Sequence, residues 1–212
     1  MKLYACPGTC SLAPHIALHE LGLPHEFVTV DIRNGCSSDH LARNPLGAVP
    51  VLELDSGHCL TECMVILQYL ADQKPEVGLA PPPDSLERYQ LQQWLSLIAT
   101  EIHKSFPPLF FGNRMVSDEE ALGELQEFAL NRLRARWRVV ADRLSQQDWL
   151  LPSGYSVADI YLYVTTCWWL KVGQNFEDLP AMRDFIRRIE TRPAVSHARE
   201  HENKSQASAT IT

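Results

Sequence analysis

The stretch KLYACPGTCSLAPHIALHELGLPHEFVTVDI, residues 2–32, combines two short apolar runs with a helical segment between them. Lys2–Cys6 is predicted as a strand, and the Pro-Gly pair that follows it is typical of a turn. A helix is predicted from Ser11 to Leu21, because a proline falls in its first turn and a glycine stands just past its end. Phe27–Ile32 has apolar residues at every second position, which indicates another strand. The stretch therefore predicts a β-α-β unit.

Two further strands and a helix complete the first part of the chain. Val49–Leu54 and Cys59–Thr61 are predicted as strands joined by a tight turn at residues 55–57, which read Asp-Ser-Gly. Glu62–Gln73 is predicted as a helix, because its apolar residues recur every three or four positions. A β-α-β unit followed by a hairpin and a helix gives a mixed sheet with helices packed on it. We therefore predict an α/β domain over residues 1–78.

After residue 84 the pattern is helical throughout. Three consecutive prolines, residues 81–83, cannot continue a helix and favour a stiff extended connection, so a linker is predicted there. An all-α domain is predicted over residues 85–200. Its helices are expected at Leu86–Phe106, Asp118–Leu144, Leu179–Glu190 and Ala194–His201. Another helix is expected to begin at Ser156, which forms a capping box with Asp159 three positions later. The final residues, 205–212, are small and polar and are expected to fray.

The composition narrows the classes of function. The chain has 212 residues, of which 45% are hydrophobic and 21% charged, so it can bury a core without disulfides or metal. Its net charge of −7 argues against nucleic acid or an anionic membrane as a partner, since both require a basic surface. No apolar run reaches the roughly 18–20 residues that span a bilayer, and the first residues do not read as a signal peptide. Six cysteines without a secretory signal indicate reduced thiols in a cytoplasmic protein.

Cys10 is the first candidate for chemistry. It lies where a predicted strand, a Pro-Gly turn and a helix start meet. Backbone N–H groups and the positive end of a helix favour an anion at such a position, so a thiolate there would be stabilised and reactive. The alternative is a buried, inert cysteine, and position alone does not decide between the two.

Two further segments could line a binding site. Pro50 stands at the head of an apolar strand, where a cis bond would expose the backbone of Val49 to a peptide ligand. The sequence alone favours an ordinary trans proline at a strand edge. Glu62 and Cys63 begin a predicted helix, whose backbone amides could hold a ligand carboxylate while the Glu62 side chain binds an ammonium group. The alternative is that Glu62 only interacts favourably with the helix dipole.

Histidines offer two weaker signals. His103 shares a helix face with Ser96, seven residues earlier, and this small polar face indicates a cleft wall in which the histidine could polarise a thiol. A surface or structural histidine is the alternative. His15 and His19 lie one helical turn apart, but the sequence shows no third ligand near them, so they are interpreted as ordinary helix residues. The spacing of Cys6 and Cys10 is not that of a zinc knuckle either, and no metal is predicted.

Five segments together resemble one family, the bacterial beta-class glutathione transferases. They follow the family's order and spacing, and the resemblance covers about residues 1–200. The segments are YACPGTCSLAPHIAL at 4–18, NPLGAVP at 44–50, LTE at 60–62, ATEIHK at 99–104 and SVADIYL at 156–162.

The resemblance implies a thioredoxin-like N-terminal domain, an all-α C-terminal domain and a homodimer. It implies an enzyme that takes glutathione as substrate, without a metal, and either joins it to small apolar electrophiles or exchanges disulfides through Cys10. Pro50 is the implied cis-proline, and Cys10 and His103 are the implied catalytic residues. The implied glutathione-binding residues are Cys10, Val49, Pro50, Glu62, Cys63, Ser96 and His103. The implied border of the second-substrate pocket is Phe106 and Trp168.

The chain departs from the family pattern at several positions. Cys63 stands where serine or glycine is frequent, and Ser96 where asparagine is common. Gly35 stands where a lysine often binds the glycine carboxylate of glutathione, and Arg33 is the candidate to replace that lysine. Cys6 could resolve a mixed disulfide at the reactive cysteine, or it could be a packed strand residue. A non-catalytic module of the same fold that binds a protein partner therefore remains a second hypothesis. A third, a glutaredoxin-like reductase, shares the Cys10 chemistry of the glutathione transferase hypothesis.

Overall fold

The computed structural model describes residues 1–32 and 35–209, which form two compact units. The first unit contains Met1–Pro81 together with the chain from Ile189 onward, and the second contains Pro82–Arg188. The first unit is therefore discontinuous in sequence, whereas the second is one uninterrupted segment. Arg33, the candidate to replace the family lysine, lies outside the described residues.

A four-stranded mixed sheet organises the first unit. Its strands are β1 (Lys2–Ala5), β2 (Glu26–Thr29), β3 (Val51–Glu53) and β4 (Cys59–Leu60), in the spatial order β2-β1-β3-β4. β1 and β2 are parallel, as a strand–helix–strand connection permits, whereas β3 is antiparallel to both β1 and β4. Each predicted strand is present, with ends that move by up to three residues.

Side-chain alternation along β1 explains how the sheet is covered on both faces. Leu3 and its cross-strand partner Leu52 are fully buried on one face. Tyr4 and its partner Val51 lie on the opposite face, since successive strand residues point to opposite sides. The small core on that face also contains Cys6, Val30 and Val49. Both faces are therefore apolar and covered by the rest of the unit.

Three helices of the first unit follow the strands along the chain. They are α1 (Leu12–Glu20), α2 (Ser38–Arg43) and α3 (Cys63–Gln73), of which α1 and α3 pack against each other. The short α2 lies in a polar stretch and is capped by Ser37, whose hydroxyl accepts a hydrogen bond from the N–H of His40. The predicted turn between β3 and β4 is present, with Gly57 at a φ of +82°, a conformation that favours glycine.

A final helix, α9 (Pro193–Ala209), returns to the first unit and packs against α1. Arg192 precedes it and forms a two-point ion pair with Glu20 at the end of α1, with N–O distances of 2.5 and 2.9 Å. Glu202 on α9 is buried, and its carboxylate accepts a hydrogen bond of 2.9 Å from the N–H of Gly8. Burial raises the pKa of Glu202 to about 7, against the lowering effect of that hydrogen bond. The last helix is therefore bonded to the loop that follows β1.

The described part of this helix is longer than the sequence predicts. The pattern indicates a helix at Ala194–His201 and fraying from residue 205, but α9 continues to Ala209. That expectation is wrong for residues 205–209, while residues 210–212 lie outside the described chain. Small polar residues have modest helix propensity, so the local sequence does not indicate the full length of this helix.

The second unit is helical, as predicted. Its helices are α4 (Leu86–Leu97), α5 (Pro107–Phe111), α6 (Glu119–Leu144), α7 (Val157–Lys171) and α8 (Pro180–Glu190), and the unit boundary falls in the last turn of α8. Within the described residues, no helix has the length and apolar character needed to cross a membrane.

The helix predicted at Leu86–Phe106 is interrupted in the structure. α4 ends at Leu97, and the chain continues as a π turn, Ile98–Ile102, and then a 3₁₀ turn, His103–Ser105. The apolar pattern does not reveal this change, because both ends of the π turn are still fully buried. Single π turns inside helices are frequent at functional sites, and this one immediately precedes a predicted site histidine.

The predicted capping box at the start of α7 is confirmed. One carboxylate oxygen of Asp159 accepts hydrogen bonds from the N–H and the hydroxyl of Ser156, both at 2.9 Å. The other accepts a bond of 2.9 Å from the N–H of Leu150, in the segment before the helix. Burial raises the pKa of Asp159 to about 6, although these three bonds act in the opposite direction. Asp159 thus ties the preceding segment to the start of the helix.

Candidate active site

Cys10 lies in the turn that joins β1 to α1, two residues before the helix begins. Its side chain is 8% exposed, and its thiol donates a hydrogen bond to the carbonyl oxygen of Val49, with an Sγ–O distance of 3.3 Å. The thiol of Cys63, at the start of α3, donates to the carbonyl oxygen of Cys10 over 3.6 Å. The first unit therefore brings three of the predicted site residues into contact, beside the N-terminal ends of two helices.

Hydroxyl groups fix the backbone of this turn. Ser11 does not cap α1 with its side chain; its Oγ instead accepts from the N–H of Cys6 at 3.1 Å and donates to the carbonyl of Cys6 at 3.0 Å. Thr9 donates to the same carbonyl at 2.7 Å. Cys6 is itself buried in the core beneath the sheet, in agreement with its interpretation as a packed strand residue. The position of Cys10 is thus set by bonds on both sides of it.

The peptide bond between Val49 and Pro50 is cis, as the resemblance implies, and the sequence-based interpretation of Pro50 as a trans proline is wrong. The two isomers of an X–Pro bond differ by only about 0.5–1 kcal/mol, so local sequence cannot decide between them. The segment just before the bond is held at the carbonyl oxygen of Ala48. That oxygen accepts hydrogen bonds from Asn44 at 2.9 Å and from His40 at 3.1 Å, and both of these side chains are buried.

Glu62 stands immediately before α3 in an unusual backbone conformation. Its φ is +65° and its ψ is 114°, and it is the non-glycine residue with positive φ among the described residues. Such a conformation costs on the order of 1–3 kcal/mol and is found most often at ligand sites. The side chain is exposed, while its carbonyl oxygen accepts hydrogen bonds from the N–H groups of Val65 and Ile66. Its carboxylate is therefore available to a ligand at the positive end of a helix.

His103 lies in the second unit, directly after the π turn. Its Nδ1 shares a hydrogen bond of 2.6 Å with the hydroxyl of Tyr161, and its ring stands edge-on to Trp168 with centroids 4.7 Å apart. Burial lowers the pKa of His103 to about 4, and the neighbouring charge of Lys104 acts in the same direction. The imidazole is therefore neutral near pH 7, so it can accept or donate one proton in a hydrogen bond.

Aromatic rings surround this histidine. Phe106 and Trp168 have centroids 5.4 Å apart, and Phe110 stacks on Phe106 at 5.7 Å. The sequence analysis places Phe106 and Trp168 beside a pocket but misses Phe110 and Tyr161. Tyr161 could have been found from its spacing, because it precedes Trp168 by seven residues on α7, which puts the two on one helix face. Ser96, on α4, is exposed, and its carbonyl accepts a bond from Thr100.

The predicted site residues therefore form two groups. Cys10, Val49, Pro50, Glu62 and Cys63 belong to the first unit. Ser96, His103, Phe106 and Trp168 belong to the second. The first group offers a thiol, a carbonyl and a carboxylate beside helix N-termini, which suits a zwitterionic peptide. The second offers a neutral imidazole among aromatic rings, which suits an apolar molecule.

Comparison with known families assigns both parts of the chain. Residues 1–72 match the model of the glutathione S-transferase N-terminal domain, and residues 103–193 match that of the glutathione S-transferase C-terminal domain. The predicted fold class, a thioredoxin-like domain followed by an all-α domain, is thereby confirmed.

Relatives cover nearly the whole chain. Glutathione S-transferase GstA of Escherichia coli O157:H7 is 39% identical over 203 residues, which are 93% of this chain and 96% of that protein. The structure of a sphingomonad glutathione S-transferase complexed with glutathione is 41% identical, with a TM-score of 0.86 over 96% of this chain and 99% of that one. A beta-class glutathione S-transferase of Sphingomonas chungbukensis is 40% identical, with a TM-score of 0.86 over 95% of this chain and 98% of that one. The chain belongs to the glutathione S-transferase family and is similar to its bacterial beta-class members.

Proposed function

We propose that this protein is a glutathione transferase that binds glutathione against its first unit and reacts it with apolar electrophiles or with disulfides. The observation that carries this proposal is the contact of Cys10 with Val49 and Cys63 at the N-terminal ends of α1 and α3. A glutathione complex of a relative 41% identical over 96% of this chain supports glutathione as the substrate. The enzyme assignment agrees with relatives that are named glutathione S-transferases.

The chemistry of glutathione fits the first group of residues. Its cysteinyl backbone would pair with Val49, which precedes Pro50 at the head of β3. Its γ-glutamyl carboxylate would lie at the start of α3, where the helix dipole and the backbone N–H of Cys63 favour an anion. The ammonium group would meet the exposed carboxylate of Glu62. These assignments place the glutathione sulfur beside the thiol of Cys10.

Two reactions follow from a thiol at this position. In conjugation, the glutathione thiolate attacks the electrophile, a C–S bond forms, and the leaving group departs with its electron pair. In exchange, the Cys10 thiolate attacks the glutathione sulfur of a mixed disulfide between glutathione and another thiol, which forms a Cys10–glutathione disulfide and releases the other thiolate to take up a proton. A glutathione thiolate then attacks the glutathione sulfur of this adduct, which releases the Cys10 thiolate and glutathione disulfide.

The second group of residues is proposed to hold the electrophile. Phe106 and Trp168 form an apolar surface with Phe110, to which an aromatic electrophile could bind by stacking. His103 is neutral near pH 7 and is proposed as a hydrogen-bond partner of a reacting thiol. Ser96 is proposed as a further polar contact for glutathione. The proposed roles of the two catalytic residues differ: Cys10 forms a covalent disulfide with glutathione, whereas His103 only forms a hydrogen bond to a thiol.

The organisation proposed around this activity follows the family. We propose a glutathione-binding domain at residues 1–78, an all-α domain at 85–200, a homodimer, and a cytoplasmic location in which the thiols stay reduced. Sedimentation velocity of the purified protein tests the dimer directly.

The primary test is the intact mass of the protein after incubation with oxidised glutathione, followed by peptide mapping. We expect one glutathione adduct on Cys10 in the wild type and none in Cys10→Ala. Cys36→Ala is the matched control, because Cys36 is also partly buried and hydrogen-bonded, at 3.0 Å to the carbonyl of Gly47, but lies outside the proposed site. It should keep the adduct. Adducts spread over Cys36 and Cys59, or none at all, would contradict the exchange mechanism.

Conjugation needs its own readout. Turnover of 1-chloro-2,4-dinitrobenzene at saturating glutathione, together with calorimetric titration of glutathione, separates binding from chemistry. Absence of both binding and turnover at millimolar glutathione would refute the proposal and favour the non-catalytic, protein-binding module. Unchanged disulfide-reductase turnover in Cys10→Ala would refute the Cys10 step alone.

A further inference from the structure

Five of the chain's eight histidines lie close together in the first unit, and none of the five is among the residues proposed to bind glutathione. His15 and His19 are on α1, and His25 immediately precedes β2. Their candidate ligand nitrogens all lie within 4.8 Å of one another. The sequence shows only the pair at helical spacing, because His25 is brought to that pair by the turn after α1. The structure therefore supplies the third ligand that the sequence lacks.

The distances within this group suit a tetrahedral metal ion. The Nε2 atoms of His15 and His19 are 3.2 Å apart and share a hydrogen bond, whose proton a metal ion would displace. Two nitrogens bound to one zinc ion at about 2.0–2.1 Å lie about 3.3 Å apart at the tetrahedral angle, so this pair is already at the required separation. The third nitrogen lies within 4.8 Å of the other two, so ligation requires it to move closer by at most about 1.5 Å.

The hydrogen bonding of the three rings also agrees with ligation. Nδ1 of His25 lies 2.9 Å from the carbonyl oxygen of Leu23, so its proton is held by that carbonyl and Nε2 is left with a lone pair. A backbone carbonyl in this role is a common outer-shell partner of a metal-binding histidine. His15 is 1% exposed, and its buried Nδ1 has no hydrogen-bond partner. The bare group is therefore not a fully satisfied hydrogen-bonded core.

Helix α9 brings two more histidines to the same place. The ring of His201 is 5.3 Å from that of His15, and the ring of His197 is 6.2 Å from that of His19, measured between centroids. His197 and His201 are four residues apart, so two pairs with the same helical spacing belong to helices that pack against each other. Both are exposed and able to move inward as a fourth ligand.

The chemistry of the candidate ligands indicates which metal ions this site could bind. All candidate ligands are imidazoles, which suit zinc, copper, nickel or cobalt and not magnesium or calcium. Glu20, the residue after His19, is already paired with Arg192.

We propose that His15, His19 and His25, with a fourth ligand from His197 or His201, bind one divalent transition-metal ion, best matched by Zn²⁺. The ion would join α1, the start of β2 and α9, so its role is to hold α9 against the rest of the first unit. The proposal is independent of glutathione chemistry.

The test uses untagged protein, stripped with a chelator and treated with N-ethylmaleimide so that thiols do not compete for metal. Zn²⁺ is titrated in competition with a chromogenic chelator, and Co²⁺ is titrated separately to read coordination from its visible absorption. We expect one Zn²⁺ per chain and an intense cobalt spectrum of tetrahedral type without a sulfur charge-transfer band. The thermal midpoint should rise on adding Zn²⁺.

Variants separate the site from adventitious binding. The double variant His19→Gln with His25→Gln keeps the buried His15 and should fold, but it should lose Zn²⁺ affinity by at least about 100-fold, because two of the ligands are gone. His58→Gln, at an exposed histidine outside the cluster, is the matched control and should bind as the wild type does. His197→Gln with His201→Gln should weaken binding and abolish the thermal shift. No binding by the wild type, or equal affinity in the first double variant, would overturn the proposal.

Discussion

Replacement of Asp159 by alanine should destabilise the second unit severely. The Asp159 side chain has no exposed surface, and its carboxylate accepts three hydrogen bonds, from the N–H of Leu150 and from the N–H and hydroxyl of Ser156. Alanine would leave these three donors buried without an acceptor. Each such donor costs about 1–2 kcal/mol, so we expect a loss of about 3–6 kcal/mol from the free energy of unfolding. That is a large part of the roughly 5–15 kcal/mol that stabilises a typical protein.

The pH dependence of this loss has a defined sign. Burial raises the pKa of Asp159 to about 6 from an ordinary value of 3.8, so the folded protein binds more protons than the unfolded chain between these pH values. The contribution of Asp159 to stability is therefore largest at low pH and falls as the pH rises through 6. The difference between wild type and Asp159→Ala should be about 1 kcal/mol larger at pH 5 than at pH 8.

Urea unfolding followed by far-ultraviolet circular dichroism, at fixed protein concentration and at both pH values, measures these differences. Asp142→Ala is the control, since Asp142 is exposed near the C-terminal end of α6, where an acidic side chain is slightly unfavourable. It should be neutral or slightly stabilising. A loss below about 1 kcal/mol for Asp159→Ala, or one equal to that of the control, would refute the argument from buried hydrogen bonds.

Three further predictions concern other parts of the fold. Burial lowers the pKa of His103 to about 4 from 6.5, so the folded protein binds fewer protons than the unfolded chain between these pH values, and its stability should fall by about 3 kcal/mol at most as the pH drops from 7 to 4. Urea unfolding of His103→Asn should therefore show a flatter pH profile than that of the wild type. Superimposable profiles of the two proteins would contradict this prediction. A double-mutant cycle of Arg192→Ala and Glu20→Gln should give a coupling free energy of about 1–2 kcal/mol in urea unfolding, and additive single effects would show that the ion pair contributes nothing. Gly47→Ala should lower the thermal midpoint more than Gly57→Ala does. Both glycines have a positive φ, but only at Gly47 would the new methyl group lie 3.1 Å from a cysteine sulfur. Equal shifts of the two midpoints would contradict this prediction.

Secondary-structure elements could be predicted where neighbouring residues alone determine them. β1 and β2 follow from alternation, and the start of α7 follows from the capping box at Ser156. The π turn after Leu97 and the length of α9 are not local properties. The π turn keeps both flanking isoleucines buried, so the apolar period continues through it, and the small polar residues at the end of α9 carry no apolar period that would indicate a helix.

The candidate site shows the same division. Cys10 could be singled out because it stands at a strand–turn–helix junction, and its junction is present in the structure. The conformation of Pro50 could not be predicted from residues alone, since the surrounding packing decides between nearly equal isomers. The grouping of His25 with His15 depends on the turn after α1, and that of His201 depends on the packing of α9 against α1, and neither can be read from spacing along the chain.

The discontinuity of the first unit bears on the order in which the protein can fold during synthesis. Pro82–Arg188 is one uninterrupted segment, so it can form its internal contacts before the chain from Ile189 onward has been synthesised. The first unit must wait for α9, because that helix covers α1 and carries the carboxylate that binds the N–H of Gly8. The turn that presents Cys10 is therefore secured only after α9 has emerged, and a nascent chain would not carry a finished thiol site before then.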